Sequence, residues 1–386
     1  MKNNILSKKY LINYFYYANN FNDLVRYKTL NLSSIGIFFI SLFFFLSGCK
    51  NKDNIVSPKK ETADTTWIQG EGLQGYAVSG LGVSGNNLLA GASHFPLPYV
   101  YIFLSTDDGL TWKQEASFHV DNTIPHTDLI FTPSISFIDD GTVLLAGSWS
   151  LPRGAIYRST DHGITWSDSG INWPEKDSDL TENMNCFCLA NGKIFAGTSH
   201  GVYVSSDHGS NWAGFNTGLY DLNTNRGYSI TGITNINSNI FVCTVGNGIY
   251  RSENDGNSWD KVNFTDYDFQ SFATIGSNIF VSAFNQLGKQ YTGGVFVSTD
   301  NGDSWQHTDS TLIDHGVGPL CSYGSFLFAE TDTALFFTNN TGITWKNISI
   351  GREIFWTSSI MIHNLHMYTN SGGSIWRYPI SLITGY

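Results

Sequence analysis

The sequence predicts an all-β fold, a seven-bladed β-propeller closed by an N-terminal strand in the last blade. Three observations predict it. One eight-residue turn recurs six times along the chain. From Trp to Trp the copies are 54, 46, 47, 46 and 40 residues apart. Short apolar strands precede every copy. Periods of about 40–50 residues with strand signals belong to propellers. A helical repeat of that length would place apolar residues every three to four positions, and no such pattern is visible.

The turn reads Ser105-Thr-Asp-Asp-Gly-Leu-Thr-Trp112 in its first copy and Ser159-Thr-Asp-His-Gly-Ile-Thr-Trp166 in its second. Ser205–Trp212, Ser252–Trp259, Ser298–Trp305 and Thr338–Trp345 follow, all fitting Ser/Thr-x-Asp/Asn-x-Gly-x-Thr/Ser/Asn-Trp. The third residue (Asp107, Asp161, Asp207, Asn254, Asp300, Asn340) can accept backbone N–H bonds from the turn that follows it. Gly in fifth place supplies a positive φ without a Cβ clash. Trp gives the next strand a large apolar face to bury. The pattern resembles the Asp-box, or BNR, repeat of sialidases, xyloglucanases, the sortilin ectodomain and photosystem II assembly factors. That resemblance covers about residues 65–386. It implies that each box joins the third and fourth strands of a blade, on the face opposite the binding site, with the six Asp/Asn residues structural.

The blades follow in order. Lys193–Thr198 with Gly201–Ser205, Asn239–Thr244 with Gly248–Ser252, and Asn278–Ser282 with Gly294–Ser298 read as second and third strands. Leu88–Ala92, Val143–Gly147 and Phe326–Ala329 occupy the matching places in units one, two and six. A weaker strand precedes each pair, as in Ser134–Ile138 and Ile230–Thr234, so four strands make a blade. A seventh unit, Asn364–Tyr368 and Ser374–Tyr378, lacks a box. Its missing outer strand is expected from Asp64-Thr-Thr-Trp67-Ile-Gln, which resembles the start of every fourth strand. Closure removes sheet edges that would otherwise aggregate.

Ahead of the propeller, Ile35–Leu46 is apolar, too short for a transmembrane helix of about 20 residues and suited to the core of a signal peptide. Leu46-Ser47-Gly48-Cys49 resembles the bacterial lipobox. Residues 1–48 are therefore expected to be a lipoprotein signal peptide, with an uncleaved anchor helix as the alternative. Cys49 is the expected lipidation site, residues 49–64 a polar tether, and residues 65–386 the propeller. The resemblance implies a bacterial cell envelope location, lipid-anchored in the outer membrane. The charged stretch after Cys49 resembles in part the signals of surface-exposed lipoproteins.

The chain carries 21 basic and 32 acidic residues, net −11. Residues 1–48 hold five of the basic residues and one acid, which leaves 16 against 31, net −15, for the remainder. An acidic surface with no basic patch argues against nucleic acid or anionic lipid as partner. Contact with the membrane is expected through the lipid anchor only, and the chain is expected as a monomer. Cys186, Cys188, Cys243 and Cys321 lie on apolar strands and read as buried thiols. No zinc-ligand spacing is present, and neither cofactor nor metal is expected.

Binding elements are expected on the face away from the boxes. Three loops between second and third strands are long there: Ser93–Tyr99, Ser148–Gly154 and Ala283–Thr292. Two inter-blade loops, Ala116–Pro133 and Asp168–Asn185, are also long. His94, Tyr99, Trp149, Arg153, Phe284, Lys289 and Tyr291 are the candidate ligand contacts, because aromatics beside polar groups can stack on sugars or grip a peptide. Three classes of function are open. The first is a non-catalytic scaffold for a glycan, peptide or envelope protein. The second is a glycoside hydrolase using two carboxylates about 5–10 Å apart. The third is an assembly factor for an envelope complex. A sialidase would need three convergent Arg and a Phe/Tyr-Arg-Ile-Pro motif, and that motif is absent. Arg158, Arg251 and Arg377 share one strand position in three blades, which suggests a structural role near the boxes.

Overall fold

A computed structural model describes residues 67–94, 97, 99–119, 134–149, 155–169, 184–221, 226–262, 264, 267–284, 293–313, 316–331, 334–349, 359–371 and 373–384. It is a seven-bladed propeller of four-stranded antiparallel sheets. Blade 1 is Ala77–Ser84, Asn87–Ser93, Tyr99–Ser105 and Lys113–His119. Blade 2 is Ser134–Asp139, Leu144–Trp149, Ile156–Ser159 and Ser167–Asp168; blade 3 is Met184–Ala190, Lys193–Thr198, Gly201–Ser205 and Ala213–Gly214. Blade 4 runs Ile230–Ile236, Asn239–Thr244, Gly248–Ser252 and Asp260–Lys261, and blade 5 Asp268–Ile275, Asn278–Phe284, Gly294–Ser298 and Gln306–His307. Blade 6 is Val317–Tyr323, Phe326–Thr331, Leu335–Thr338 and Lys346–Asn347. Blade 7 takes Ile360–His363, His366–Ser371 and Ser374–Pro379 from the end of the chain and Ile68–Gln69 from its start. Ile68 pairs with Arg377 and Gln69 with Trp376. The ring is thus closed by the strand that Trp67 begins, as the sequence predicts.

First strands of neighbouring blades touch one another and form the inner wall. Second and third strands are almost wholly buried, as in blade 3 where all five residues of Gly201–Ser205 are. Such strands are packed on both faces, which explains their continuous apolar runs. Seven apolar clusters hold the ring, one at each interface between blades. The cluster between blades 7 and 1 joins Tyr368 and Ile375 to Leu88, Phe103 and Trp112. Burial of this kind contributes about 25 cal/mol per Å² of apolar surface.

Polar ties add to these clusters near the inner wall. Asn185 Nδ2 of blade 3 donates to Ile230 O of blade 4 at 2.7 Å, and Thr231 Oγ1 of blade 4 to Phe269 O of blade 5 at 2.7 Å. Asn370 Nδ2 of blade 7 donates to Val78 O of blade 1 at 2.8 Å. Each acceptor adjoins a register shift in its first strand, where a main-chain carbonyl is turned away from its own sheet. Between blades 1 and 2 the approach is closer still: a Cβ on Gly80 would lie 1.8 Å from Ile135 O, so only glycine fits.

The outer strand of blade 1 is seven residues long, where those of blades 2 to 6 have two. Lys113–His119 therefore corrects the sequence reading that began a loop at Ala116. Its cause is packing. Phe118 stacks on Tyr157 of blade 2 with ring centroids 3.6 Å apart, and Ala116 joins the same cluster.

Candidate functional site

The two ends of the ring have different chemistry. The lower face carries the six repeated turns and the turns joining first to second strands. The upper face carries the loops between second and third strands and those between blades.

On the lower face, the third residue of each turn organises its own loop. Asp161 Oδ1 accepts from Thr165 N at 2.8 Å and from Ser159 Oγ at 2.8 Å, while Oδ2 accepts from Thr165 Oγ1 at 2.6 Å. Asp107, Asp207 and Asp300 repeat the pattern. In the other two turns Asn254 and Asn340 accept from Ser258 N and Thr344 N. The Thr165 hydroxyl and amide push the Asp161 carboxyl down to about 2. Donors from Asn211 and Ser304 do the same for Asp207 and Asp300.

Two consecutive residues in each turn have positive φ, not glycine alone. In the second turn they are His162 (φ 57) and Gly163 (φ 93). The fourth residue is therefore thrust outward, and it meets the preceding blade. His162 Nδ1 lies 2.8 Å from Ser84 Oγ, His208 Nδ1 lies 2.7 Å from Asp140 Oδ2, and Asp255 accepts from Asn191 and Lys193. The three arginines complete the device. Arg158 Nε donates to His208 O at 3.1 Å, Arg251 to Asn301 O at 2.9 Å and Arg377 to Asp108 O at 3.0 Å. All three carbonyls belong to the fourth turn residue of the next blade. Position three shapes the turn and position four docks it. These arginines lie on the lower face, away from the upper-face loops.

The upper face holds the sequence-predicted contacts that can be placed. His94 and Tyr99 both lie at the upper end of blade 1, linked through Tyr76 and Tyr101. Tyr76 lies edge-on to His94 at 5.1 Å and to Tyr101 at 5.0 Å. Tyr99 lies 5.2 Å from His119, edge-on. The Nδ1 of His94 is buried without a hydrogen-bond partner. His119 joins the site through blade 1's extended outer strand, Tyr101 from its third strand and Tyr76 from just before its first. The signal for them in the sequence was the spacing of aromatics in Tyr99-Val-Tyr101 across the strand from His119. Phe284 ends the second strand of blade 5, on a different part of the ring, against Gly316. Trp149 ends the second strand of blade 2. Arg153, Lys289, Tyr291 and Cys49 lie outside the described residues.

On blade 3, Ser199 Oγ and His200 Nδ1 are 2.9 Å apart in an upper turn, and burial lowers the imidazole pKa. On blade 6, Glu330 is a buried acid near the upper end of the second strand, with Thr369 Oγ1 donating to its Oε2 at 3.5 Å. The sequence reading did not single it out, because a lone Glu in an apolar strand carries no spacing signal. Among the described residues no group of three or more His, Cys, Asp or Glu is placed to hold a metal. The four cysteines among the described residues are free, and burial pushes the Cys188, Cys243 and Cys321 thiols up to about 12. None of them is a reactive thiolate at neutral pH.

No protein-family model matches the chain, and no curated protein does. Solved structures do. YCF48 from Cyanidioschyzon merolae is similar over 82% of this chain and 99% of its own, with 15% identity and a TM-score of 0.58. A structure described as YCF48 bound to D1 peptide is similar over 81% and 94%, with 16% identity and a TM-score of 0.57. The GH74 xyloglucanase from Xanthomonas campestris is similar over 81% of this chain and 53% of its own, with 15% identity and a TM-score of 0.52. At these identities the likeness is one of fold.

Proposed function

We propose that this chain is a lipid-anchored envelope scaffold that binds an extended peptide or protein segment on the upper face, without chemistry of its own. The observation that carries the proposal is the upper end of blade 1. Tyr76, His94, Tyr99 and His119 stand there around the buried ring of Tyr101. Aromatic rings with polar tips are the groups that dominate binding surfaces. A peptide offers backbone groups to the imidazoles and side chains to the rings. The lower face is not equivalent, since its Asp, His and Arg side chains join turn to turn and blade to blade. The peptide bound by a propeller of similar fold supports the same ligand class. Anchoring through Cys49 rests on the lipobox resemblance and is part of the proposal.

One observation favours hydrolysis instead, the buried Glu330. A glycosidase would need a second carboxylate within about 5–10 Å of it.

Residues 63–386 contain every strand of the described residues and all seven clusters, so the seven four-stranded blades close without the preceding segment. This domain would be applied to peptide and glycan arrays, and every hit assayed for product. Retention of peptides, lost in Tyr99→Ala and His119→Ala without any product, is expected. Glycan retention would move the ligand class to carbohydrate. Product release abolished by Glu330→Gln would establish the hydrolase reading.

A further inference from the structure

Eight large hydrophobic side chains are exposed among the described residues. Six of them lie on one arc of the lower face. Tyr323 and Ile343 belong to blade 6, Leu365 and Leu382 to blade 7 and its C-terminal turn, Leu110 to blade 1 and Ile164 to blade 2. Ile343 is 70% exposed, Leu365 63% and Ile164 54%. On the opposite arc the sixth turn position holds Ser210, Asn257 and Asp303. The arc is contiguous with the start of the ring. Ile380 N donates to Leu365 O at 2.8 Å, which seats the C-terminal turn beside Leu365. Glu71 N donates to Leu110 O at 2.9 Å, which ties the entering chain to the first turn.

The entry point decides what this arc faces. The third strand of blade 7 runs towards the lower face, and Ile68–Gln69 runs antiparallel to it. Ile68 is opposite Arg377, whose guanidinium holds the lower-face turn residue Asp108. The chain therefore enters the ring at the lower face, along the outer edge of blade 7 and within the apolar arc. Before that point stand Cys49 and the apolar run Ile35–Leu46. Trp67 stands 18 residues after Cys49. Any lipid held at Cys49 is thus tied by the chain to the face at which Trp67 enters the ring.

We propose that the apolar arc of blades 6, 7, 1 and 2 rests on the lipid surface, so that the upper face of the ring points away from the membrane. Aliphatic side chains at turn tips enter the boundary between headgroups and acyl chains. Glu71, Asp107, Asp108, Asp139 and Asp161 lie on or beside the same arc, so a zwitterionic surface suits it better than an anionic one. Lys113 and Lys346 are the exposed cations nearest the turn tips of blades 1 and 6. The inference rests on the proposed anchoring at Cys49, extends membrane contact beyond the lipid anchor expected from the sequence, and does not depend on what the upper face binds.

The test tethers residues 63–386 by an N-terminal histidine tag to phosphatidylcholine vesicles containing a nickel-chelating lipid. An environment-sensitive dye is placed at Ile343→Cys or, on the opposite arc, at Asn257→Cys. The proposal expects a blue shift and quenching by spin-labelled lipid at position 343 and neither at 257. It also expects loss of the signal at 343 in an Ile164→Asp, Leu365→Asn background. Both substitutions suit their turns, because Asp303 fills the same place in blade 5 and Asn tolerates the positive φ at 365. Equal signals at the two positions, or none at either, would overturn the proposal. So would a concentration-dependent blue shift at 343 without vesicles, which would assign the arc to a second copy of the chain.

Discussion

Removing the Trp67 side chain should cost this ring more than almost any other single truncation. Trp67 is buried in the cluster between blades 6 and 7, with its ring 5.1 Å from Tyr378. It begins a strand of only two residues. Gly70 N→Ile375 O at 2.8 Å and Gln69 Nε2→Ser374 Oγ at 2.7 Å also hold this strand, and Glu71 N→Leu110 O and Trp112 N→Glu71 O, both at 2.9 Å, tie the residue after it to blade 1. Truncating a buried Trp to Ala costs about 3–5 kcal/mol through lost burial and the cavity left behind. Here the local bonds are too few to hold the strand once its anchor is gone. Each net hydrogen bond contributes about 1 kcal/mol, so detachment would add roughly another 2 kcal/mol. It would also bare the edge of Ser374–Pro379, a template for aggregation. Urea denaturation of residues 63–386 followed by circular dichroism would give the change, with the exposed upper-face residue Leu97→Ala as a control expected within about 0.5 kcal/mol. A Trp67→Ala variant within about 1 kcal/mol of the parent, with no greater tendency to aggregate, would refute closure by the N-terminal strand.

Two further predictions concern the repeated turns. The carboxyls of Asp161, Asp207 and Asp300 are depressed to about 2, chiefly by bonds from Thr165, Asn211 and Ser304. A depressed folded-state pKa stabilises above the unfolded value of about 3.9, and that stabilisation is lost as pH falls from about 4 towards 2. Replacing all three by Asn, the residue already present at positions 254 and 340, should flatten stability across that window; an unchanged acid limb in pH-dependent urea titrations would contradict it. Thr341 is a β-branched residue at φ 56, where the other turns place Asp, His or Asn. Thr341→Asn should raise stability by about 0.5–1 kcal/mol, and a lower thermal midpoint would argue that its hydroxyl bond to Asn340 O outweighs the strain.

The ring was legible because its signals repeat. Second and third strands are buried on both faces, so their apolar runs have sharp ends: Lys193–Thr198, Gly201–Ser205, Asn239–Thr244, Gly248–Ser252 and Gly294–Ser298 match the expected bounds residue for residue. Trp67 was legible as a displaced outer strand because Thr66-Trp67 fits the Thr/Ser/Asn-Trp start of the other six. The long outer strand of blade 1 was not. Its pattern, Ala116 and Phe118 alternating with polar neighbours, depends on Tyr157, which lies 39 residues further along. Nor was the docking role of the fourth turn position, because Asp, His, Asn and Thr fill it in different blades and share only a backbone conformation. The candidate site was legible only in part. His94 and Tyr99 share the upper end of one blade, whereas Phe284 belongs to blade 5. Long upper-face loops point to a face of the ring, and side-chain geometry alone picks out one blade on it.

The measurement closest to the central claim is the affinity of the domain for a peptide recovered from the array, compared between two variants. Tyr99→Ala removes an upper-face ring, and Ile343→Asp alters the lower arc. The account predicts at least about tenfold weaker binding for Tyr99→Ala, the size of a hot-spot loss, and an unchanged affinity for Ile343→Asp. Unchanged binding in Tyr99→Ala with a loss in Ile343→Asp would place the ligand on the lower face and contradict the assignment of the two ends of the ring.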